Sequence, residues 1–303
     1  MALEIRQLRY VVEVADRENF SRAAERLGVA QPALSQQILK VERDLGFDLF
    51  ARHPRGASVT PAGEAFVADA RAAVAAFDEA VDRAGRRARG ETGRLTVGFT
   101  AAAGLELMPL ILGAHSERYP DVDVRLREST FSDPSAGLAS GASDVAFVHP
   151  PLAAKGLWSE VLSVEPRLVA LPEGHALARR TSVSVREILA EPIVGFPSAD
   201  EAADRFWLLA DFRDGRPAAV LARPETHEEK LQIVASGRAL SVVCAASARF
   251  YARPGVVFVP IVDVPPSEVV VAFRAGAVER LVHNFVRLAA EVRDAHRTAS
   301  EAA

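Results

Sequence analysis

Two short helices joined by a tight turn, between Asn19 and Leu45, constrain this chain more than any other feature. Ser21 is placed to cap the first helix, whose inner face is Ala23, Ala24 and Leu27, and Gly28 ends it. The second opens at Gln31-Pro32, where proline is tolerated because first-turn amides have no acceptor inside the helix. Leu34, Ile38, Val41 and Leu45 form its buried stripe. Its other side carries Gln31, Pro32, Ser35, Gln36, Lys40 and Arg43, with Leu39 the one large apolar residue. Ahead of this pair, Ile5, Leu8, Val12 and Ala15 recur at steps of three and four and predict a helix. Behind it, residues 49–60 (LFARHPRGASVT) read as two short strands around a basic turn, a wing.

A helix with one buried side and one polar side is usually only solvated, but this polar side has the chemistry of a DNA reader. Short polar side chains near the N-terminus can approach base edges in the major groove without lifting the helix away. Gln31 and Gln36 can pair both edge atoms of adenine, Ser35 suits several bases, and Pro32 offers an apolar contact to a thymine methyl. Ser21, Arg22, Lys40, Arg52 and Arg55 surround them and would hold phosphates, setting register without reading sequence.

Thr60-Pro61 then opens a long helix with a capping hydroxyl and a first-turn proline. Phe66, Ala70, Ala73, Phe77, Val81 and Ala84 keep near-heptad spacing along it, a thin stripe suited to a second copy or to the chain's own first domain. Residues 83–93, with their glycines and charges, read as a hinge. Beyond it strands and helices alternate in two similar units with a late return segment, which predicts two α/β lobes sharing a cleft and a mostly parallel sheet. The expected division is a winged helix-turn-helix domain at 1–60, a linker helix at 61–90, and a domain at 91–303 with lobe I at 91–164 and 269–303 and lobe II at 165–268. The fold class is therefore mixed, mainly α at the N-terminus and α/β in the remainder.

Composition narrows the functions available. The net charge of −4 divides into +1 over residues 1–90 and −5 beyond, so the N-terminal part is the better partner for a polyanion. No apolar run approaches the roughly 18–20 residues that span a bilayer, and the first residues carry charge where a signal peptide is apolar, so a cytoplasmic chain with no membrane partner is expected. The single cysteine, Cys244, cannot form an intramolecular disulfide and reads as a small core residue. No phosphate-binding loop, dinucleotide fingerprint or nucleophile elbow occurs. The string His227-Glu228-Glu229-Lys230-Leu231 has leucine where a second zinc ligand belongs, so His227 reads as a loop or cap residue, and no metal, cofactor or catalytic residue is expected. An α/β enzyme or a solute-binding protein with an accessory N-terminal domain is the alternative.

Residues 3–66, above all Phe20-Ser21-Arg22-Ala23-Ala24-Glu25-Arg26-Leu27, Gln31-Pro32-Ala33-Leu34-Ser35, Leu45-Gly46, Leu49-Phe50 and Thr60-Pro61-Ala62-Gly63, closely resemble the LysR-type transcriptional regulators. GRLTVGF, Arg118-Tyr119-Pro120-Asp121-Val122 and Gly174-His175-Ala176-Leu177-Ala178 are similar to that family's effector domain. The resemblance implies a winged helix-turn-helix, a dimerising linker helix and a periplasmic-binding-protein-like domain whose lobes clamp a small effector. It also implies a homodimer or homotetramer on double-stranded DNA at an interrupted palindrome. Three positions depart from the pattern. Ala30 stands for a capping Ser or Thr, a loss of up to about 1 kcal/mol at that helix start. Gln36 stands for a frequent arginine, and Arg238 for a glycine of the second lobe.

In such a domain the cleft lies at the carboxyl ends of strands, where helix N-termini offer free amides. The candidate effector residues are Thr100, Ala101 and Ala102 after the first strand, Ser129 and Thr130 after the second, and Phe196, Pro197, Ser198 and Thr226 in the second lobe. Amides and hydroxyls with few cations suit a small carboxylate or another polar metabolite. Lobe closure is expected about residues 164–167 and 272–274.

Overall fold

The computed structural model describes residues 3–53, 56–197, 200–277 and 279–301. The chain divides into two compact units, Met1–Arg86 and Arg87–Ala303.

The first unit holds α1 (Ile5–Arg17), α2 (Phe20–Leu27), α3 (Gln31–Leu45), β1 (Phe50–His53), β2 (Gly56–Val59) and most of α4 (Pro61–Ala88). α1 buries Gln7, Val11 and Val14, one position away from the predicted stripe of Ile5, Leu8, Val12 and Ala15. Both registers have helical spacing, and packing against α2 and α3 selects the one that lets Gln7 donate to Gln37 at 3.2 Å. The cap of α2 is Asn19 rather than Ser21: its Oδ1 accepts from the amides of Ser21 and Arg22 at 2.9 and 3.1 Å. Gly28 closes α2 at φ +67, in the left-handed region where a side chain is strained. Antiparallel β1 and β2 form the wing, running in register from Phe50 opposite Val59 to His53 opposite Gly56.

Thr60 caps α4, accepting from Gly63 N at 2.9 Å while its hydroxyl donates to Asp48 O at 2.7 Å. Gly63 allows the close approach of α4 to β1, since a Cβ there would sit 2.5 Å from Leu49 O. The predicted hinge at 83–93 is mostly helix. α4 continues to Ala88, supported by the i,i+4 pairs Arg83–Glu79 (2.6 Å) and Arg86–Asp82 (3.2 Å). Charges that read as a linker are the solvated face of a helix.

Lobe I of the second unit contains β3 (Gly93–Thr100), α5 (Met108–Arg118), β4 (Val122–Ser129), β5 (Val145–Val148) and β6 (Leu157–Glu165). Lobe II follows with β7 (Arg167–Pro172), α6 (Val185–Ile188), β8 (Ile193–Val194), α7 (Glu201–Trp207), β9 (Val220–Ala222), α8 (His227–Ala235), β10 (Ser241–Cys244), α9 (Ala245–Phe250) and β11 (Val256–Pro260). β12 (Ser267–Arg274) and α10 (Arg280–Glu301) return the chain to lobe I.

The lobe I sheet has the order β4-β3-β5-β12-β6, parallel at β3–β4 and β3–β5 but antiparallel at both edges of β12. α5 and α10 pack on it over a core that includes Leu95, Ile111, Phe147 and Phe285. In lobe II, β7 pairs antiparallel with both β10 and β11, and β8 pairs parallel with β9. The expectation of a mostly parallel sheet is therefore corrected. Alternation of strands and helices tells that crossovers exist, whereas strand direction depends on where each connection re-enters.

The lobes are joined by two crossings, at Pro166 between β6 and β7 and at 261–266 between β11 and β12. The predicted second hinge at 272–274 falls inside β12, where Ala272 and Phe273 are laddered to both β5 and β6 and Arg274 to β6, so the segment has no freedom to bend. Arg167 ties the crossings together. It is buried, Nε donates to Pro265 O at 2.8 Å, Nη1 donates to Phe206 O at 2.9 Å, and its guanidinium lies 4.1 Å from the Phe206 ring. Burial lowers its pKa to about 10, so it stays charged at neutral pH. No helix among the described residues is long and apolar enough to cross a membrane.

Candidate functional site

Two sites emerge, one in each unit. In the first unit α3 buries Leu34, Ile38, Val41 and Glu42 and leaves Gln31, Pro32, Gln36, Leu39 and Lys40 exposed, with Ser35 half-buried between them. The N-terminus of α3 has no side-chain cap at Ala30, as its missing hydroxyl implies. Gln31 Nε2 donates to Ser35 Oγ at 3.2 Å, so the two polar groups one turn apart are pre-aligned. The wing reaches the same place: Arg52 lies over the Phe20 ring at 4.5 Å and its Nη1 donates to Ser35 Oγ at 3.5 Å. Glu42 joins α3 to the wing from inside, accepting at Oε1 from the buried amides of Leu49 and Phe50 at 2.9 and 3.1 Å. Ser21 and Arg22 are exposed at the start of α2. Arg55 lies outside the described residues.

In the second unit a cavity of about 50 Å³ sits between the lobes. Lobe I contributes Thr100, Ala101, Ala102, Phe131, Pro134 and His149. Lobe II contributes Phe196, Ala203 and Trp207 from β8 to α7, His227 and Lys230 from α8, and Val243, Cys244 and Ser247 from the β10–α9 corner. The lobes touch around it. Phe131 N donates to Glu225 O at 2.9 Å, Ala153 N donates to Asp200 Oδ2 at 2.8 Å, and Arg249 pairs with Glu106 at 2.9 Å.

Four of the predicted effector residues, Thr100, Ala101, Ala102 and Phe196, line this cavity. Ser129 is buried at the end of β4, accepting from Arg127 at 2.9 Å, and Thr130 is turned to Ser132 at 2.7 Å. Thr226 is committed to capping α8, accepting from Glu229 N at 3.1 Å. Pro197 is not among the described lining residues, and Ser198 lies outside the described residues.

The sequence reading missed the cavity's titratable groups. His227, expected as a loop or cap residue, is the first residue of α8 and is 5% exposed, its ring 4.2 Å from that of Tyr251. Burial, helped by the neighbouring Lys230 and His149 charges, pushes its pKa down to about 2, so it is neutral. Cys244 is a small core residue as expected, but it also meets His149, Sγ to Nε2 being 3.8 Å. His149 Nδ1 faces Glu268 O at 3.0 Å and Ser267 Oγ at 3.2 Å. Burial alone would lower the His149 pKa, yet Cys244, Glu165 and the Glu268 carbonyl raise it on balance. Burial would likewise raise the Cys244 pKa, and His149 lowers it on balance. One signal was available: helical spacing puts His227, Lys230, Leu231 and Val234 on one face, and a lysine inside an apolar stripe is an anomaly. The described residues hold no group of three metal-ligating side chains.

A winged helix-turn-helix followed by a two-lobed domain with an inter-lobe cavity defines a DNA-binding regulator that carries its own small-molecule domain. Residues 5–64 match the family model "Bacterial regulatory helix-turn-helix protein, lysR family", and residues 88–294 match "LysR substrate binding domain". The chain belongs to the LysR family of transcriptional regulators. It is 36% identical over 192 residues to the regulator AlsR of Bacillus subtilis (strain 168), covering 63% of this chain and 64% of AlsR. It is 30% identical over 296 residues to IlvR of Caulobacter vibrioides, covering 95% of this chain and 98% of IlvR. The match thus spans just under two thirds of AlsR but nearly all of IlvR. Among solved structures, the LysR regulator CbnR superposes with TM-score 0.74 at 27% identity, over 95% of this chain and 100% of CbnR. Full-length CbnR in complex with its target DNA gives TM-score 0.70, also at 27% identity, over 96% of this chain and 100% of CbnR.

Proposed function

We propose that this chain is a cytoplasmic, sequence-specific DNA-binding regulator that works as a homodimer or homotetramer on an interrupted palindrome and is switched by a small effector held between its lobes. The observation that carries the reading is the polar, exposed N-terminal side of α3, backed by an opposite side that buries Leu34, Ile38 and Val41 and joined by the wing. Gln31, Pro32, Ser35 and Gln36 read base edges, while Ser21, Arg22, Lys40, Arg52 and Arg55 hold phosphates. The solved complex of CbnR with its target DNA supports this use of the fold. Gln36 and the uncapped start at Ala30 are where operator preference departs from that of relatives. The groups of the cavity bind rather than catalyse, and lobe closure about Pro166 and residues 261–266 changes how the DNA is held. A ligand drives that closure only through different affinities for the two states.

Selection of bound genomic fragments supplies the operator, and titrations against it and against random DNA separate the roles. Ser35→Arg and Gln31→Ala should each lose about 1–3 kcal/mol of preference for the operator. Arg52→Ala should instead weaken binding to both DNAs and lower the logarithmic salt slope by about 1. Operator preference unchanged in both α3 variants contradicts the reading.

α4 supplies the subunit contact. Phe77 and Val81 on its stripe are 45% and 57% exposed in the single chain, more than an ordinary solvated face needs. Phe77→Glu should shift the mass measured by light scattering toward the monomer and weaken operator binding at least about tenfold. An unchanged mass in that variant would assign the stripe to no subunit interface.

A further inference from the structure

Lysine normally reaches out to water, because burying an ammonium without an anion is among the costlier arrangements in a fold. Lys230 lies on the buried side of α8 and is 4% exposed. Its Nζ faces two rings, 4.9 Å from the centre of Phe131 and 5.5 Å from that of Phe196. Among the described residues no carboxylate lines the cavity and none forms an ion pair with Lys230. On the same helix, His227 Nε2 is buried with no hydrogen-bond partner among the described residues. Two nitrogen-bearing side chains of residues more than nine-tenths buried therefore line one cavity, Lys230 with ring contacts but no anion and His227 Nε2 with no hydrogen bond among the described residues.

We propose that the cavity takes a small monocarboxylate, its anionic end on the Lys230 ammonium and its short apolar remainder against Phe131, Phe196 and Trp207. This rests on the effector reading above and names the ligand's chemistry. Charge sets the valence. His227 is neutral, and His149 is engaged by Cys244, Ser267 and the Glu268 carbonyl, so Lys230 is the one cation of the described lining free to meet an anion. A dianion would carry a second buried charge with no counter-ion. Shape sets the head group. Beside Nζ stand the Phe131 and Phe196 rings, and the described lining adds only two side-chain hydroxyls, Thr100 and Ser247, fewer donors than the oxygens of a tetrahedral oxyanion call for.

Size sets the tail. A cavity of about 50 Å³ exceeds the roughly 10–15 Å³ that holds one water, which suits a short tail. The ligand also has a route to closing the lobes. Phe131 belongs to lobe I and Lys230 to lobe II, so an anion seated between them adds a contact that depends on both lobes being together.

The test uses the full-length chain carrying Trp158→Phe. That change removes the exposed tryptophan of lobe I and leaves Trp207 in the cavity wall as the sole reporter. Straight-chain monocarboxylates from acetate to hexanoate, and their primary amides, are titrated against Trp207 emission. The shorter acids should saturate the signal and the amides should not. Adding Lys230→Met should weaken the acids at least about tenfold, the loss of one charge-assisted contact, with the melting curve reporting that the variant folds. Amides that bind as tightly as acids, or acids that bind Lys230→Met as tightly as the parent, overturn the carboxylate assignment while leaving the inter-lobe effector site standing. Silence of Trp207 across the panel also overturns it. The effector reading itself falls only if filling the cavity by Ala101→Phe leaves the operator footprint unchanged.

Discussion

Glu42→Ala should destabilise the DNA-binding unit by about 3–6 kcal/mol and abolish operator binding. The carboxylate is buried beneath α3 and accepts from two buried amides, Leu49 N and Phe50 N. A hydrogen bond to a charged group is worth about 1.5–3 kcal/mol, and truncation leaves both donors unsatisfied in an apolar surrounding. A small unit has a total stability near the low end of about 5–15 kcal/mol, so the loss removes most of it. Glu42→Gln keeps one acceptor oxygen and should cost about half as much. Hydrogen exchange at Leu49 and Phe50, with thermal unfolding of the full chain, checks both variants. Slow exchange persisting in Glu42→Ala would mean that the wing is held by something else.

Lys230→Met acts in the opposite direction, raising the stability of the unliganded second unit. Burial lowers the Lys230 pKa from 10.5 to about 8, with the nearby Cys244 opposing the shift only in part. Between those two values the unfolded chain binds more protons than the folded one, so stability rises with pH across that window. Below about pH 8 the whole penalty of the buried charge is present, on the order of 3 kcal/mol at about 1.4 kcal/mol per unit. Methionine has a similar length and no charge, so the variant should melt about 5–10 °C higher at pH 7 and lose the rise in stability between pH 8 and 10.5. A lower melting temperature at pH 7 would show that the lysine is already neutralised. Stability given up at a binding site is a common exchange for function.

Features governed by neighbouring residues were legible in the sequence. The start of α3 at Gln31-Pro32, the cap of α4 at Thr60, the glycine ending α2 and the wing are all consequences of local stereochemistry. Where two local solutions compete, the reading slipped. Ser21 and Asn19 are both plausible caps two residues apart, and only the observed backbone of Asn19, extended at φ −156 and ψ 120, decides between them. The stripe of α1 has two registers, and its neighbours choose the one that buries a glutamine. β6 has an irregular burial pattern and runs along the edge of the sheet through a bulge against Val269 and Val270, so alternation along the chain marks it poorly.

Alternating strands and helices, the long α4 stripe and the polar side of α3 follow from periodicity, which is a property of the chain alone, and they were enough to define a DNA reader attached to two lobes. The direction of β10 and β11 beside β7, the place where the lobes bend, and the meeting of Lys230 and His227 with Phe131 were decided only by the tertiary structure. These pairings join residues about 70–100 positions apart, and spacing along the chain carries no information about which distant segment will cover a given face. The polar helix from Gln31 to Leu45 is thus written in its own fifteen residues, whereas the cavity exists only where the two lobes close on one buried lysine.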